Sequence, residues 1–360
     1  MGSAKNRTAF VKTVIDLAKN YSLDGLNFEY VPKRHKTMDP NFKFSWEYPT
    51  KSGVGCNTMN LGDTANFLLF LQELRQDPHG SKLILSASTP ITPFAGPDGN
   101  PLSDVSGFAK VLDYIEIMNY DVWGSWSPTV GPNAPLNDTC AATQNRVGSA
   151  VSAVQTWHAA GFPLRQIVLG VASYGHSFKV NKTDAFEPGS MTLLAPYPRF
   201  NSSAHPKGDS WDSSTGVDVC GNVVFPGGTI DFWGLIQLGY LNPNGTLKQG
   251  IFFRYDNCSQ TVRFSPFLRV VKPSIHHLCF SHMCIMPRAK SWCHTIMLQY
   301  VFFLKQSSSF GDITSFSLQS FAAKGKFILD TKLRGFSIWE SGGDSNHILL
   351  NSIREAGGYN

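Results

Sequence analysis

Apolar positions along the first part of the chain fall alternately at helical spacing and in short unbroken runs. From Thr8 to Asn20, residues Phe10, Val11, Val14, Ile15, Leu17 and Ala18 recur every three or four positions, which predicts an amphipathic helix. The run Leu23 to Phe28 is short and apolar, as in a buried strand. Asp63-Thr64 opens a second helical pattern in which Phe67, Leu68, Leu71 and Leu74 share one face. Lys82 to Ser88 and Tyr114 to Asn119 predict strands. Cys140 to Ala160, with Val147, Val151, Val154 and Trp157, predicts a helix. Gln166 to Ser173 and Leu333 to Trp339 predict the remaining strands. Runs nearly continuous in Val, Ile and Leu, separated by helices, predict a parallel sheet covered on both faces. Asn27, Tyr120-Asp121, Tyr174 and Trp339-Glu340 end these strands. In a (β/α)8 barrel such strand ends form the active-site face. A doubly wound sheet gives the same alternation, so periodicity alone leaves both open.

From His176 to about Lys332 the alternation breaks. Gly, Pro, Asn and aromatic residues dominate, and a structureless loop of that length is implausible inside a domain. The expected organisation is a barrel portion over 1–175, an inserted α+β lobe over 176–332, and the last barrel strand and helix over 333–360.

Composition narrows the function classes. Apolar content of 42% and charged content of 16% describe an ordered globular protein. The net charge of +5 is not gathered into a basic arm, so no nucleic-acid partner is expected. No run approaches the roughly 20 apolar residues of a membrane span. Eight Trp are either core or platforms on which sugar rings stack. Six Asn-x-Ser/Thr sequons, at Asn6, Asn137, Asn181, Asn201, Asn244 and Asn257, point to a secretory history. Met1 to Lys5 leads straight into a helical pattern instead of a signal peptide, so the expectation is an extracellular protein with an incomplete N-terminus.

Two segments carry the most specific signal, Asp24-Gly25-Leu26-Asn27-Phe28 and Trp46-Glu47-Tyr48-Pro49. Downstream come Met118-Asn119-Tyr120-Asp121, Gly170-Val171-Ala172-Ser173-Tyr174-Gly175 and Gly335-Phe336-Ser337-Ile338-Trp339-Glu340. In this order the segments resemble glycoside hydrolase family 18, in particular its fungal class V-type chitinases. The signature of that family is Asp-Gly-x-Asp/Asn-x-Asp-x-Glu followed by Tyr-Pro. The resemblance implies an α/β fold, an incomplete (β/α)8 TIM barrel supplying the fourth to eighth strands and carrying an α+β insertion. It also exposes two foreign stretches. Glu29 to Ser45, 17 residues, stands where the family has one Asp. Codons available to Glu29-Tyr30-Val31 and to Phe44-Ser45 contain splice-donor and splice-acceptor consensus, and their excision restores Asp, which reads as a retained intron. A second foreign stretch runs over about 262–299 and holds three of the seven Cys, Cys279, Cys284 and Cys293. These Cys and the nearby His residues lack regular ligand spacing, so no metal site is expected.

By resemblance the chain hydrolyses β-1,4 N-acetylglucosamine polymers with the substrate's own acetamide as nucleophile. Glu47 would be the proton donor, with Asp24 in the same acidic motif. Tyr120 would bond the acetamido carbonyl, and Asp121 would tune the site's charge. Trp339 would form the floor under the reacting sugar, with Met118, Tyr174, Trp123, Trp46 and Asn27 as further substrate contacts. Trp126 and Trp233 are weaker candidates for outer sugar positions. The resemblance also implies the disulfides Cys56–Cys140 and Cys220–Cys258; the sequence alone allows three pairings. No cofactor is called for, and the expected partners are chitin or chitooligosaccharides bound by a monomer. Ser45, two residues before Glu47, cannot supply the charge of the family's orienting Asp. The alternative expectation is therefore a catalytically impaired, lectin-like chitin binder.

Overall fold

A computed structural model describes residues 3–29, 49–51, 60–218, 220–269, 292–298 and 318–359. In chain order, α1 (Ala4–Asn20) leads to β1 (Gly25–Phe28), and α2 (Asp63–Gln76) leads to β2 (Ile84–Thr89). The short α3 (Ser106–Ala109) precedes β3 (Tyr114–Ile117), and α4 (Ala150–Ala159) precedes β4 (Ile167–Ala172). Next come β5 (Tyr174–Asn181), the small pair β6 (Gly216–Val217) and β7 (Val223–Val224), and β8 (Thr229–Asp231). They are followed by α5 (Phe232–Gln237), β9 (Ile251–Asp256), β10 (Thr261–Arg269) and β11 (Trp292–Leu298). The described chain ends with α6 (Leu318–Thr331), β12 (Gly335–Trp339) and α7 (Ile348–Gly357).

Two five-stranded sheets organise these elements. The first is parallel, in the order β1-β2-β3-β4-β12, and remains open among the described residues. Strand β4, between β3 and the edge strand β12, is buried along its whole length, whereas the edge strands β1 and β12 are half-exposed. Of the face that the sequence pattern marked, Phe67, Leu71 and Leu74 of α2 are fully buried and Leu68 is half-buried, while Phe70, outside that pattern, is fully buried as well. Phe67 meets Phe94 edge-on at 5.9 Å, and Phe94 meets Trp157 of α4 at 5.1 Å. These rings tie two crossover helices to one core. The second sheet, β8-β5-β11-β10-β9, is antiparallel. Helix α6 returns the chain to the parallel sheet, burying Phe321 and Ile328 and packing on α7.

Local chemistry sets the helix ends. Ser3 accepts the Asn6 N–H at the start of α1, and Ser149 and Ser152 form a reciprocal capping box at the start of α4. The helix expected over Cys140 to Ala160 therefore begins only at Ala150. Gly148, with φ of 127°, breaks the chain direction just before the cap.

The disulfide pairing inferred from resemblance is corrected. Cys140 bonds Cys258, with Cα atoms 6.1 Å apart. The Leu136 N–H donates to the Ser259 carbonyl at 2.8 Å, which lays the segment ending at Cys140 along the turn between β9 and β10. That contact brings the two thiols together across 118 positions. Cys220 is disulfide-bonded as well, but not to Cys258. Cys56 lies outside the described residues.

Candidate active site

The carboxyl ends of parallel strands face one way, so β3, β4 and β12 deliver their last residues to one rim. Only Ser173 separates β4 from β5, and there the chain leaves the parallel sheet for the antiparallel one. Ser173 is fully buried. Its hydroxyl donates to the Glu340 carbonyl at 2.6 Å and accepts the Glu340 N–H at 3.0 Å. Its backbone N–H donates to Trp339 O at 2.9 Å, and its carbonyl accepts the Phe232 N–H at 2.8 Å. One small residue thus binds the end of β12 to the start of α5.

An open cleft of about 440 Å³ occupies this junction. Asp121, Tyr174, His176, Asp209, Trp211, Asp212, Thr229, Asp231, Trp339 and Glu340 line it. Asp121 follows β3 in the left-handed region, at φ 54°, which a short polar side chain tolerates. Asn133 holds it there, accepting the Asp121 N–H at 2.8 Å while donating its own amide to Tyr174 O at 3.1 Å. The Tyr174 hydroxyl donates to Asp121 Oδ1 at 2.8 Å, and His176 Nε2 lies 2.9 Å from the same oxygen. Burial first, then the Asp121 charge, pushes the Tyr174 hydroxyl well above its ordinary pKa, so it stays a donor. Tyr120 stands edge-on to Tyr174 at 6.3 Å and packs over Gly170, where a side chain would collide with it.

The opposite wall comes from the antiparallel sheet. Tyr174 pairs with Asp231 and His176 with Thr229, so all four side chains emerge on one face. Burial, then Asp209, then Glu340, raises the Asp231 carboxyl to a pKa of about 7, against a hydrogen bond from Trp233. Trp339 is 50% exposed and Trp211 62% exposed, and both offer indole faces to the cleft. Trp211 is braced by Trp233 at 5.7 Å.

The structure brings Asp121, Tyr174 and Trp339 into the cleft, with Tyr120 beside them. Glu47 and Trp46 lie outside the described residues. Asp24 does not join the others: it is exposed and precedes β1, at the end of the sheet opposite the cleft. Strand polarity decides this, since only carboxyl ends reach the rim. Asn27 is occupied by Ser86 and Ser88 of β2, at 2.8 and 3.2 Å. Trp123, expected on substrate, is instead buried against Tyr197 at 5.5 Å and over Gly131. Met118 is buried in the wall beneath the rim. Trp126 is exposed and touches His176 edge-on. Half-buried Glu116 on β3 has its carboxyl pushed up by burial and then by Glu29, which follows β1.

The strand end Glu340, marked with Trp339 in the sequence, does line the cleft, whereas His176, Asn133, Asp209, Trp211, Asp212, Thr229 and Asp231 were missed. Among these a signal existed for His176 alone, which follows Tyr174 by the two-residue period of a strand.

The sequence profile for Glycosyl hydrolases family 18 matches residues 1–344. Over 358 residues the chain is 45% identical to a chitinase-like effector of Moniliophthora perniciosa, covering 99% of this chain and 68% of that protein. It is 43% identical over 359 residues to a chitinase-like effector of Moniliophthora roreri, covering 100% of this chain and 73% of that protein. Among solved structures, a chitinase from Rhizomucor miehei superposes with a TM-score of 0.72 at 28% identity, covering 98% of this chain and 79% of that one.

Proposed function

Since the chain belongs to glycosyl hydrolase family 18, we propose that it acts on β-1,4 N-acetylglucosamine polymers by retaining, substrate-assisted hydrolysis. The observation that carries this reading is the Asp121–Tyr174–His176 cluster facing the half-exposed Trp339 in one open cleft. A sugar stacked on Trp339 presents its acetamide to the Asp121 side of the cleft. There the acetamido carbonyl attacks its own anomeric carbon, while Glu47 protonates the departing glycosidic oxygen. Tyr120 bonds the acetamido carbonyl, and the Asp121 charge balances the cation that forms. Water then attacks the anomeric carbon from the face the leaving group vacated, giving its proton to the Glu47 carboxylate and breaking the bond to the acetamido oxygen, so configuration is retained.

Incubation with a chitin hexamer, followed by NMR of the first products, tests this. Release of β-anomeric fragments is the expected result; intact hexamer after prolonged incubation would overturn hydrolysis.

A second reading is favoured by Ser45, whose hydroxyl carries none of the orienting acid's charge, and by the effector names of two similar relatives. On it, the cleft binds chitin without turnover. Co-sedimentation with chitin beads and no fragment release would select it. Both readings place the protein outside the cell as a glycoprotein, with exposed Asn181, Asn244 and Asn257 as glycan acceptors. A mobility shift after endoglycosidase treatment of the native protein checks that.

A further inference from the structure

Asp121 brings its charge to the cleft on a stretch of chain that is neither helix nor strand. Its φ of 54° is a conformation that a residue with a side chain keeps only where its surroundings hold it. The holding group is Asn133. The Asp121 N–H donates to the Asn133 side-chain oxygen at 2.8 Å, and the next N–H, of Val122, donates to the Asn133 carbonyl at 2.9 Å. The Asn133 amide nitrogen then donates to Tyr174 O at 3.1 Å, on the first residue of β5.

These contacts close a loop. Tyr174 bonds Asp121 twice, directly from its hydroxyl to Oδ1 at 2.8 Å and, at the backbone, through Asn133. Backbone and carboxylate of Asp121 are therefore both fixed from β5. Asn133 is 2% exposed and does not line the cleft. The segment that carries it is anchored as well. Asn119 Nδ2 and the Ala150 N–H both donate to Pro135 O, at 3.2 and 2.9 Å, and the Leu136 N–H donates to Ser259 O at 2.8 Å. The side chain in this position must accept from an N–H and donate to a carbonyl at once, which a carboxamide does and a carboxylate does not.

We propose that Asn133 is a positioning residue for the reaction, which acts through Asp121 by fixing where that carboxylate stands. The inference rests on the reading of the cleft as a hydrolase site and adds a residue that touches no substrate. The Asp121 charge works on a cation that exists only on the way to product. Losing its placement therefore lowers turnover and leaves ground-state binding on the exposed Trp339 in place.

Steady-state hydrolysis of a chitin hexamer by the full chain and by Asn133→Ala and Asn133→Asp tests the proposal. Exchange of the Tyr174 hydroxyl proton, assigned with Tyr174→Phe and followed by NMR, supplies a second readout. In both variants kcat should fall about 10- to 100-fold while KM stays within about twofold. The hydroxyl proton should exchange about tenfold faster or more, because Asp121 no longer stays on Tyr174. Asn133→Asp keeps the shape of the side chain, so it carries the test if Asn133→Ala fails to fold. A kcat that falls only with the folded fraction, with Tyr174 exchange as in the parent chain, overturns the proposal. So does a rise in KM at unchanged kcat. If the parent chain leaves the hexamer intact, hydrolysis falls and the exchange readout decides alone: faster exchange in the variants supports the positioning of Asp121 by Asn133, and unchanged exchange overturns it.

Discussion

Strand β4 of the parallel sheet is buried along all six residues, whereas β9 of the antiparallel sheet is only half-buried along all six. The difference is one of role. Positions in β4 contact core on both faces, so volume and shape constrain them. The antiparallel sheet is covered unevenly, with β5 almost wholly buried and β9 half-buried, and it carries polar side chains where it borders the cleft. The cleft forms where the two meet, at Ser173, and takes a different contribution from each: Asp121 and Trp339 from the parallel ends, and His176, Thr229 and Asp231 from the antiparallel face. Rigid placement comes from one sheet, and most of the chemical variety from the other.

The largest effect should come from breaking the parallel side. Phe67→Ala removes a fully buried ring from the aromatic cluster and should cost about 3–5 kcal/mol in urea unfolding. Trp211→Ala, at the exposed wall, should leave the unfolding midpoint nearly unchanged. Similar losses for the two would erase the contrast.

Ser173→Ala attacks the joint itself. Leaving the Glu340 backbone groups without their hydroxyl partner should cost about 1–3 kcal/mol. Binding of chitooligosaccharide should fall further than Phe67→Ala lowers it in the remaining folded fraction, because Trp339 and Glu340 lose their anchor. A Ser173→Ala protein with unaltered affinity would show that the joint is only structural.

Trp339→Ala should lower chitotetraose affinity about tenfold, the worth of one stacked aromatic face, with little change in thermal midpoint. A large drop in stability instead would make Trp339 a core residue.

A further effect concerns pH. The Asp231 carboxyl is raised to about 7 in the folded protein from an ordinary 3.8, so the folded state binds more protons than the unfolded one between those values. Its contribution to stability is therefore present below about pH 4, declines as pH rises, and is gone above about pH 7. Asp231→Asn should remove this decline. Stability curves of the two proteins that stay parallel from acid to neutral pH would show that Asp231 is ordinary.

Much of the parallel half was legible because its signals are local. The helix face of α2 and the strand at β4 follow from hydrophobic spacing within single segments, and Tyr120, Asp121, Tyr174 and Trp339 are strand ends by the same rule. The helix before β4 was overextended because Gly148 and the Ser149 cap outweigh the apolar residues preceding them. Trp123 misled because an aromatic beside a strand end reads alike whether it faces a ligand or Tyr197.

What the sequence by itself determined was the family, the alternation of strands and helices, and which residues stand at strand ends. The tertiary structure alone decided which of those ends meet. It set Asp24 at the far end of the sheet, joined Cys140 to Cys258, and placed Asp231 and Glu340 beside Tyr174 and Trp339. The reason is physical: periodicity records which face of a segment is buried. Register between distant strands depends on pairings such as Tyr174 with Asp231, whose energy is shared across the sheet and leaves no local trace.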